Sequence, residues 1–162
     1  MKAIQPEMFS ETEIIYNKDE LTITVRDENC STDIKCTEDN FDECARMLTV
    51  FVSPESAISA DAGDICVLNS EENTVFMLKG DFTGEDCVTE AIKKAFEGQE
   101  KVKNVGILFE VSKDTELSDF NGMMDFINGN GVFDSNGTVM WTADFIENVS
   151  VTNTAYVKAI VF

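Results

Sequence analysis

Histidine is absent from the 162 residues, and arginine occurs only at Arg26 and Arg46. Without an imidazole there is no Ser-His-Asp triad, no Cys-His dyad, no imidazole proton shuttle and no histidine-based zinc site. Cations are scarce as well. Twelve lysines and arginines stand against 31 aspartates and glutamates, for a formal charge of −19. Nucleic acids need a row of cations to displace condensed counterions, and an anionic membrane surface would repel this chain, so neither is expected as a partner. Cys30, Cys36, Cys44, Cys66 and Cys87 include no C-x-x-C pair, which leaves no recognisable metal or redox motif and predicts ordinary thiols. No apolar run approaches the ~18–20 residues that span a bilayer. The opening residues, MKAIQPEMFSETEI, are polar and lack the apolar core of a signal peptide. A cytoplasmic location is the expectation, and the glycosylation patterns at Asn29, Asn136 and Asn148 carry no weight there.

What is present reads as one folded domain. Hydrophobic residues make up 43% and charged residues 27%, close to ordinary soluble proteins. Residues 13–16 (EIIY) and 21–26 (LTITVR) flank a polar turn, and Leu21, Ile23 and Val25 alternate as in a half-buried strand, predicting a hairpin. Residues 27–40 are acidic and read as a connector. From Phe41 the period becomes helical through Phe41, Cys44, Ala45, Leu48, Phe51 and Val52, with Pro54 as the stop. A shorter helix is predicted from about Asp61 to Leu68, then a strand over residues 74–78 closed by Gly80.

The cleanest stripe is Val88, Ala91, Ile92, Ala95 and Phe96, with Thr83 and Asp86 as a capping-box-like start and Gly98 as the stop. A strand follows over residues 105–111 (VGILFEV). Next comes a helix through Leu117, Phe120, Met123, Met124 and Ile127, for which the Met123-Met124 pair is expected in the core. Two strands, residues 138–146 and 149–162, finish the chain, with a tight hairpin expected near Asn148. Asp134-Ser135-Asn136-Gly137 reads as a turn, since the downstream glutamate of a calcium loop is missing. Strands separated by amphipathic helices imply a sheet with helices packed on it.

The stretch from Ser53 to Ile65 (SPESAISADAGDI) resembles the R-P-G-L-I-N-V-D-F-A-D-V segment after the central helix of the FtsZ/tubulin family. Gly84-Glu85-Asp86 with Ala91-Ile92 is similar to the family's S-G-E-D-R-A and A-I motifs. Residues 105–111 with Asp114-Thr115-Glu116-Leu117 resemble V-L-V-N-I-T-G-G-P-D-L-T-L, and residues 137–144 and 149–162 stand where the family has its last two strands. The resemblance is colinear over residues 41–162 and is to the C-terminal, activation domain alone. It implies an α/β (α+β) fold with a single mixed β-sheet of about four strands covered by helices, carrying an N-terminal β-hairpin extension and connector over residues 1–40. The family's Gly-rich G-G-G-T-G-[TS]-G phosphate loop has no counterpart, so no intrinsic GTP binding and no cofactor are expected.

In the family, the loop matching residues 55–64 enters the nucleotide pocket of the next subunit, where its acidic residues orient the attacking water. Asp61 and Asp64 stand at the positions of the two loop aspartates, Ser59 replaces an asparagine, and Glu55-Ser56 replaces Pro-Gly. The resemblance therefore implies a trans-acting, partner-binding loop at Ser59, Asp61 and Asp64. The residues themselves allow another role, because two aspartates at a helix start also cap exposed N–H groups.

With no nucleophile–base pair, the chain is not expected to be an enzyme. The reading that follows is a non-enzymatic module that associates with a filament-forming FtsZ/tubulin-like GTPase, or with copies of itself, and caps or tunes a polymer. The alternative is a stand-alone α/β domain of reassigned function, binding a small molecule or forming a homo-oligomer. Like-charge repulsion should disfavour self-association at low salt.

Overall fold

Alternation along the first residues builds three strands, not two. The structure, a computed structural model, describes residues 11–56, 58–129, 131–146 and 153–162. Strands β1 (Glu13–Asn17), β2 (Thr22–Arg26) and β3 (Ser31–Lys35) form an antiparallel sheet, sheet A, in the order β1-β2-β3. Ile23 lies opposite Ile34 and Val25 opposite Thr32, and these four side chains make its buried face. The expected connector therefore holds a strand. Its inward positions are only Thr32 and Ile34, while Ser31, Asp33 and Lys35 face out, so a half-buried strand reads as a polar linker.

Helix α1 (Phe41–Val52) begins and ends where the periodicity places it, burying Phe41, Cys44, Met47, Leu48 and Phe51. Helix α2 (Ala62–Leu68) follows, with Asp61 at its N-cap. The remaining strands are β4 (Phe76–Thr83), β5 (Val102–Ser112), β6 (Phe133–Ile146) and β7 (Thr154–Val161). Between them lie α3 (Cys87–Ala95) and α4 (Asn121–Gly129), the latter preceded by a 3-10 turn at Leu117–Phe120. The four strands form sheet B in the order β4-β7-β5-β6, and the sheet is mixed because β5 and β6 run parallel while β7 is antiparallel to both its neighbours.

Several local expectations change. β6 and β7 are not a hairpin, since β5 lies between them. β7 buries Ala155, Val157, Ala159, Val161 and Ile160 on its two faces, which makes it a central strand, whereas β6 is only partly covered and takes the edge. Asn148, where the tight hairpin was expected, lies outside the described residues. Gly80 does not close β4 but lies within it. A Cβ there would come within 2.4 Å of the Ala95 nitrogen and 2.5 Å of the Ala91 carbonyl, so β4 passes directly against α3. Thr83 is the last residue of β4, pairing with Thr154, and Asp86 adopts φ 57 with no side-chain cap hydrogen bond, so the expected capping box at α3 is absent.

The Asp134 turn exists, but as an irregularity inside β6. Between Val102↔Phe133 and Asn104↔Thr138 the register shifts, and the Asn136 amide donates to Asp134 Oδ1 at 2.8 Å. Gly137 sits so close to the Lys103 carbonyl that a Cβ would fall 1.8 Å from its oxygen. Of the methionine pair, Met123 is fully buried but Met124 is 40% exposed, one helical step round α4.

Two cores result, one on each face of sheet B. The first joins α3 and α4 to Val105, Ile107, Phe109 and Val111 of β5 and to the alternating residues of β7. The second joins α1 and α2 to Leu108, Ile160 and Phe162 of sheet B on one side and to Ile23, Val25 and Ile34 of sheet A on the other. Sheet A is thus a cover for α1 and α2, tied on by Asn69 at the end of α2, whose amide donates to Thr32 Oγ1 at 2.8 Å and to the Asp33 carbonyl at 2.9 Å.

Candidate functional site

Pro54 cannot supply a backbone N–H, and α1 ends just before it at Val52. The chain that follows is held back against the helix end. The Ser56 hydroxyl donates to the Val50 carbonyl, the Ser59 hydroxyl donates to the Ser53 carbonyl at 2.7 Å, and the Ala60 amide donates to the Phe51 carbonyl at 2.7 Å. One further tie crosses to sheet B, where the Ile58 amide donates to Thr142 Oγ1 of β6 at 3.2 Å. The described residues of the loop thus form a ledge between α1 and the edge strand.

At its end the chain becomes extended at Asp61 (φ −110, ψ 178) and α2 starts. Asp61 Oδ1 accepts from the Asp64 amide at 2.9 Å, and Asp64 Oδ2 accepts from the Asp61 amide at 3.0 Å, a reciprocal capping box. Each carboxylate uses one oxygen in this way. Among the described residues the other oxygen of each takes no hydrogen bond, and both side chains are exposed. Ser59 is exposed on the same ledge. The three residues singled out from the sequence are thus together, and the aspartates cap the helix while still presenting an acceptor outward.

Two grooves border this ledge along β6. One, of about 360 Å³, lies between Ile58, Ser59 and Asp64 and the β6 residues Met140 and Trp141. The other, of about 520 Å³, lies between Glu55 and Ser56 and the β6 residues Asp144 and Phe145. Neither is lined by a lysine or arginine. Carboxylates are acceptors only when ionised, so this surface can receive a cation or an N–H/O–H donor, or orient a water.

Sequence reasoning did not reach a charge network under α1. Glu110, with a side chain only 13% exposed, meets Lys158 at 2.9 Å and Arg46 at 3.3 Å. Lys158 also meets Glu43 at 3.3 Å, and Glu43 pairs with Lys79. Burial pushes the Glu110 carboxyl up, but the hydrogen bonds and charges of Lys158 and Arg46 outweigh it and hold it below the ordinary value of 4.5. Glu43 is lowered likewise, burial being outweighed by Lys79 and Lys158. The one signal in the sequence was the polar Glu110 within the apolar run of β5. The cysteines are free thiols. Cys30 is pushed up to about 12 by its hydrogen bond with Cys66 and by burial, and Cys44 is raised by its hydrogen bond with Cys36.

No family model and no curated protein matches the sequence. Among solved structures, an empty FtsZ dimer from M. jannaschii matches with a TM-score of 0.63 at 17% identity, over 76% of this chain and 37% of that one. The fold is FtsZ-like. A mutant of the same FtsZ matches with a TM-score of 0.62 at 16% identity, over 76% of this chain and 38% of that one. The chain thus spans well under half the length of the FtsZ structures it matches, and at this identity the likeness is one of fold. The mixed four-strand sheet with helices packed on it agrees with the expected fold. Among the described residues no helix is long and apolar enough to cross a membrane.

Proposed function

We propose that the chain is a non-enzymatic interaction module that associates with a filament-forming, FtsZ/tubulin-like GTPase through the loop at residues 55–64. Ser59, Asp61 and Asp64 are its contact residues. The observation that carries this reading is the ledge between α1 and α2 in an FtsZ-like fold, whose two carboxylates are locked by each other's backbone amides yet keep an outward oxygen apiece. A placed carboxylate can orient a water for phosphoryl transfer in a partner's site, an effect typically of ~10²–10⁴ in rate. Without a phosphate loop of its own, the module would offer one complementary face to a polymer and so cap or tune it rather than extend it, since growth needs two.

GTP turnover and sedimentation of the FtsZ from the same cell, titrated with this protein, test the proposal. Asn caps a helix as well as Asp does but carries no charge. The double variant Asp61→Asn, Asp64→Asn is therefore expected to fold as the parent does and to abolish the change in turnover. A flat titration with the parent protein would refute the proposal. An equal response from parent and double variant would remove the carboxylates from it.

A further inference from the structure

The cysteines other than Cys87 meet in two pairs, and both pairs join sheet A to a helix. Cys30 stands just before β3 and shares a hydrogen bond with Cys66 of α2, whereas Cys36 stands just after β3 and shares one with Cys44 of α1. The second pair is buried. Both members of the first are only half-buried, so a small solute can reach them.

The contact between Cys30 and Cys66 is held from both sides. The turn from β2 to β3 is closed by the Asp27 amide, which donates to the Cys30 carbonyl at 2.9 Å. Asp27 Oδ1 in turn accepts from the Asn29 amide at 2.7 Å, the Cys30 amide at 3.0 Å and the Cys30 thiol at 3.6 Å. On α2, Cys66 stands three residues before Asn69 and so on the same side of the helix. Asn69 is the residue tied to Thr32 and Asp33 of β3. Two anchored backbones thus carry the sulfurs to one place, although they lie far apart in the chain.

We propose that Cys30 and Cys66 are a redox modification site, at which a reversible disulfide clasps sheet A to α2. The oxidant is a small-molecule disulfide. The Cys66 thiolate attacks one of its sulfurs, forming a mixed disulfide and releasing one small thiolate. Cys30 then gives its proton to that thiolate and attacks the Cys66 sulfur, displacing the second small thiol. The two protein thiols are oxidised by two electrons, and the small disulfide is reduced to two thiols. Cys30 is the later attacker because Cys66 and Asp27 both hold its proton in place. Once Cys66 is capped, its sulfur no longer opposes a charge on Cys30, and the second step is released. The clasp sits on the helix whose first turn carries Asp61 and Asp64, so oxidation steadies the base of the ledge. This inference stands on the thiol pair and does not require the GTPase reading.

The test uses the full chain and bis(2-hydroxyethyl) disulfide, a neutral oxidant that a protein of charge −19 does not repel. After reaction, the remaining thiols are alkylated in urea and the peptides mapped by mass spectrometry. The expected product links Cys30 to Cys66, leaves Cys36, Cys44 and Cys87 alkylated, and returns to the parent on reduction with dithiothreitol. Half-formation in the folded protein should need at least about tenfold less oxidant than in urea, where nothing holds the sulfurs together. In Cys30→Ser the reaction should stop at the mixed disulfide on Cys66, and in Cys66→Ser the Cys30 thiol should stay reduced. Amides of β3 and α2 should exchange more slowly in the oxidised parent. A different pairing, a disulfide between two molecules, or mixed disulfides that do not close overturns the proposal. So does an equal oxidant requirement in urea, a Cys30 modified as fast in Cys66→Ser as in the parent, or unchanged exchange at β3 and α2.

Discussion

Toward α3 and α4, sheet B presents Val105, Ile107, Phe109 and Val111 of β5 with Ala155, Val157 and Ala159 of β7. Toward α1 it presents Leu108 and Ile160 alongside Glu110, Lys79 and Lys158. The first face is closed by shape. Phe109 meets the rings of Phe120 and Trp141 edge-on at 5.4 and 5.8 Å, and β4 approaches α3 so closely that only Gly80 fits between them. The second face is closed by shape and charge together, since α1 brings Glu43 and Arg46 down onto Lys158 and Glu110. Apolar packing is non-directional, whereas an alternating run of charges fixes which residue of a helix sits over which strand. The difference teaches that Arg46, Lys79 and Lys158 meet the glutamates that α1 and β5 bring together, so charge as well as shape joins α1 to the sheet.

The largest way to break this comparison is in the apolar face. Phe109→Ala removes a fully buried ring and is expected to cost about 4 kcal/mol, read as a lower urea midpoint with an unchanged slope. The loss should be the same at acid and neutral pH, because Phe109 is fully buried within the apolar cluster. A strongly pH-dependent loss would erase the distinction between the faces.

The charged face should respond more mildly and only while its carboxylates are ionised. Lys158→Met takes one cation from two glutamates and is expected to cost about 2 kcal/mol at neutral pH. Glu110 and Glu43 titrate below their ordinary value of 4.5 in the folded protein. The stability they contribute is therefore present above that pH and disappears as pH falls through the depressed folded values. Relief of repulsion among the other acidic groups acts in the opposite direction on acidification. The informative quantity is thus the difference between parent and Lys158→Met, which should shrink as pH falls below 4.5 through those depressed values. A difference that stays constant would mean that the lysine acts through its methylene stem.

The smallest effect sharpens the contrast at the ledge. Asp61→Ala opens the capping box and should cost about 1 kcal/mol by thermal unfolding, while Asp61→Asn should cost a few tenths. If Asn is as damaging as Ala, the charge at the α2 terminus matters more than the hydrogen bond.

Much of the fold was legible because it is written in short-range periodicity. Of the α1 stripe, Phe41, Cys44, Leu48 and Phe51 are buried and Ala45 and Val52 only partly so, while the α3 stripe of Val88, Ala91, Ile92, Ala95 and Phe96 is buried throughout. β3 was not legible, because two inward residues among polar neighbours do not make a pattern. Nor was the α3 cap, where Thr83 was already committed to pairing with Thr154 across the sheet. At the ledge, the proximity of Asp61 and Asp64 follows from their spacing at a helix start. The tie from Ile58 to Thr142 joins residues far apart in the chain and left no local trace.

By itself the sequence determined which segments are helices, where α1 stops, and that Asp61 and Asp64 stand together at a helix start. Each of these depends on residues within a turn or two of one another, where backbone geometry alone relates spacing to position. Only the tertiary structure decided that β7 separates β4 from β5, that sheet A covers α1, that Glu110 has Lys158 and Arg46 for company, and that β6 is the outer strand of sheet B among the described residues. Those outcomes depend on which surfaces exclude the most water from one another across the whole chain, and no local pattern carries that sum.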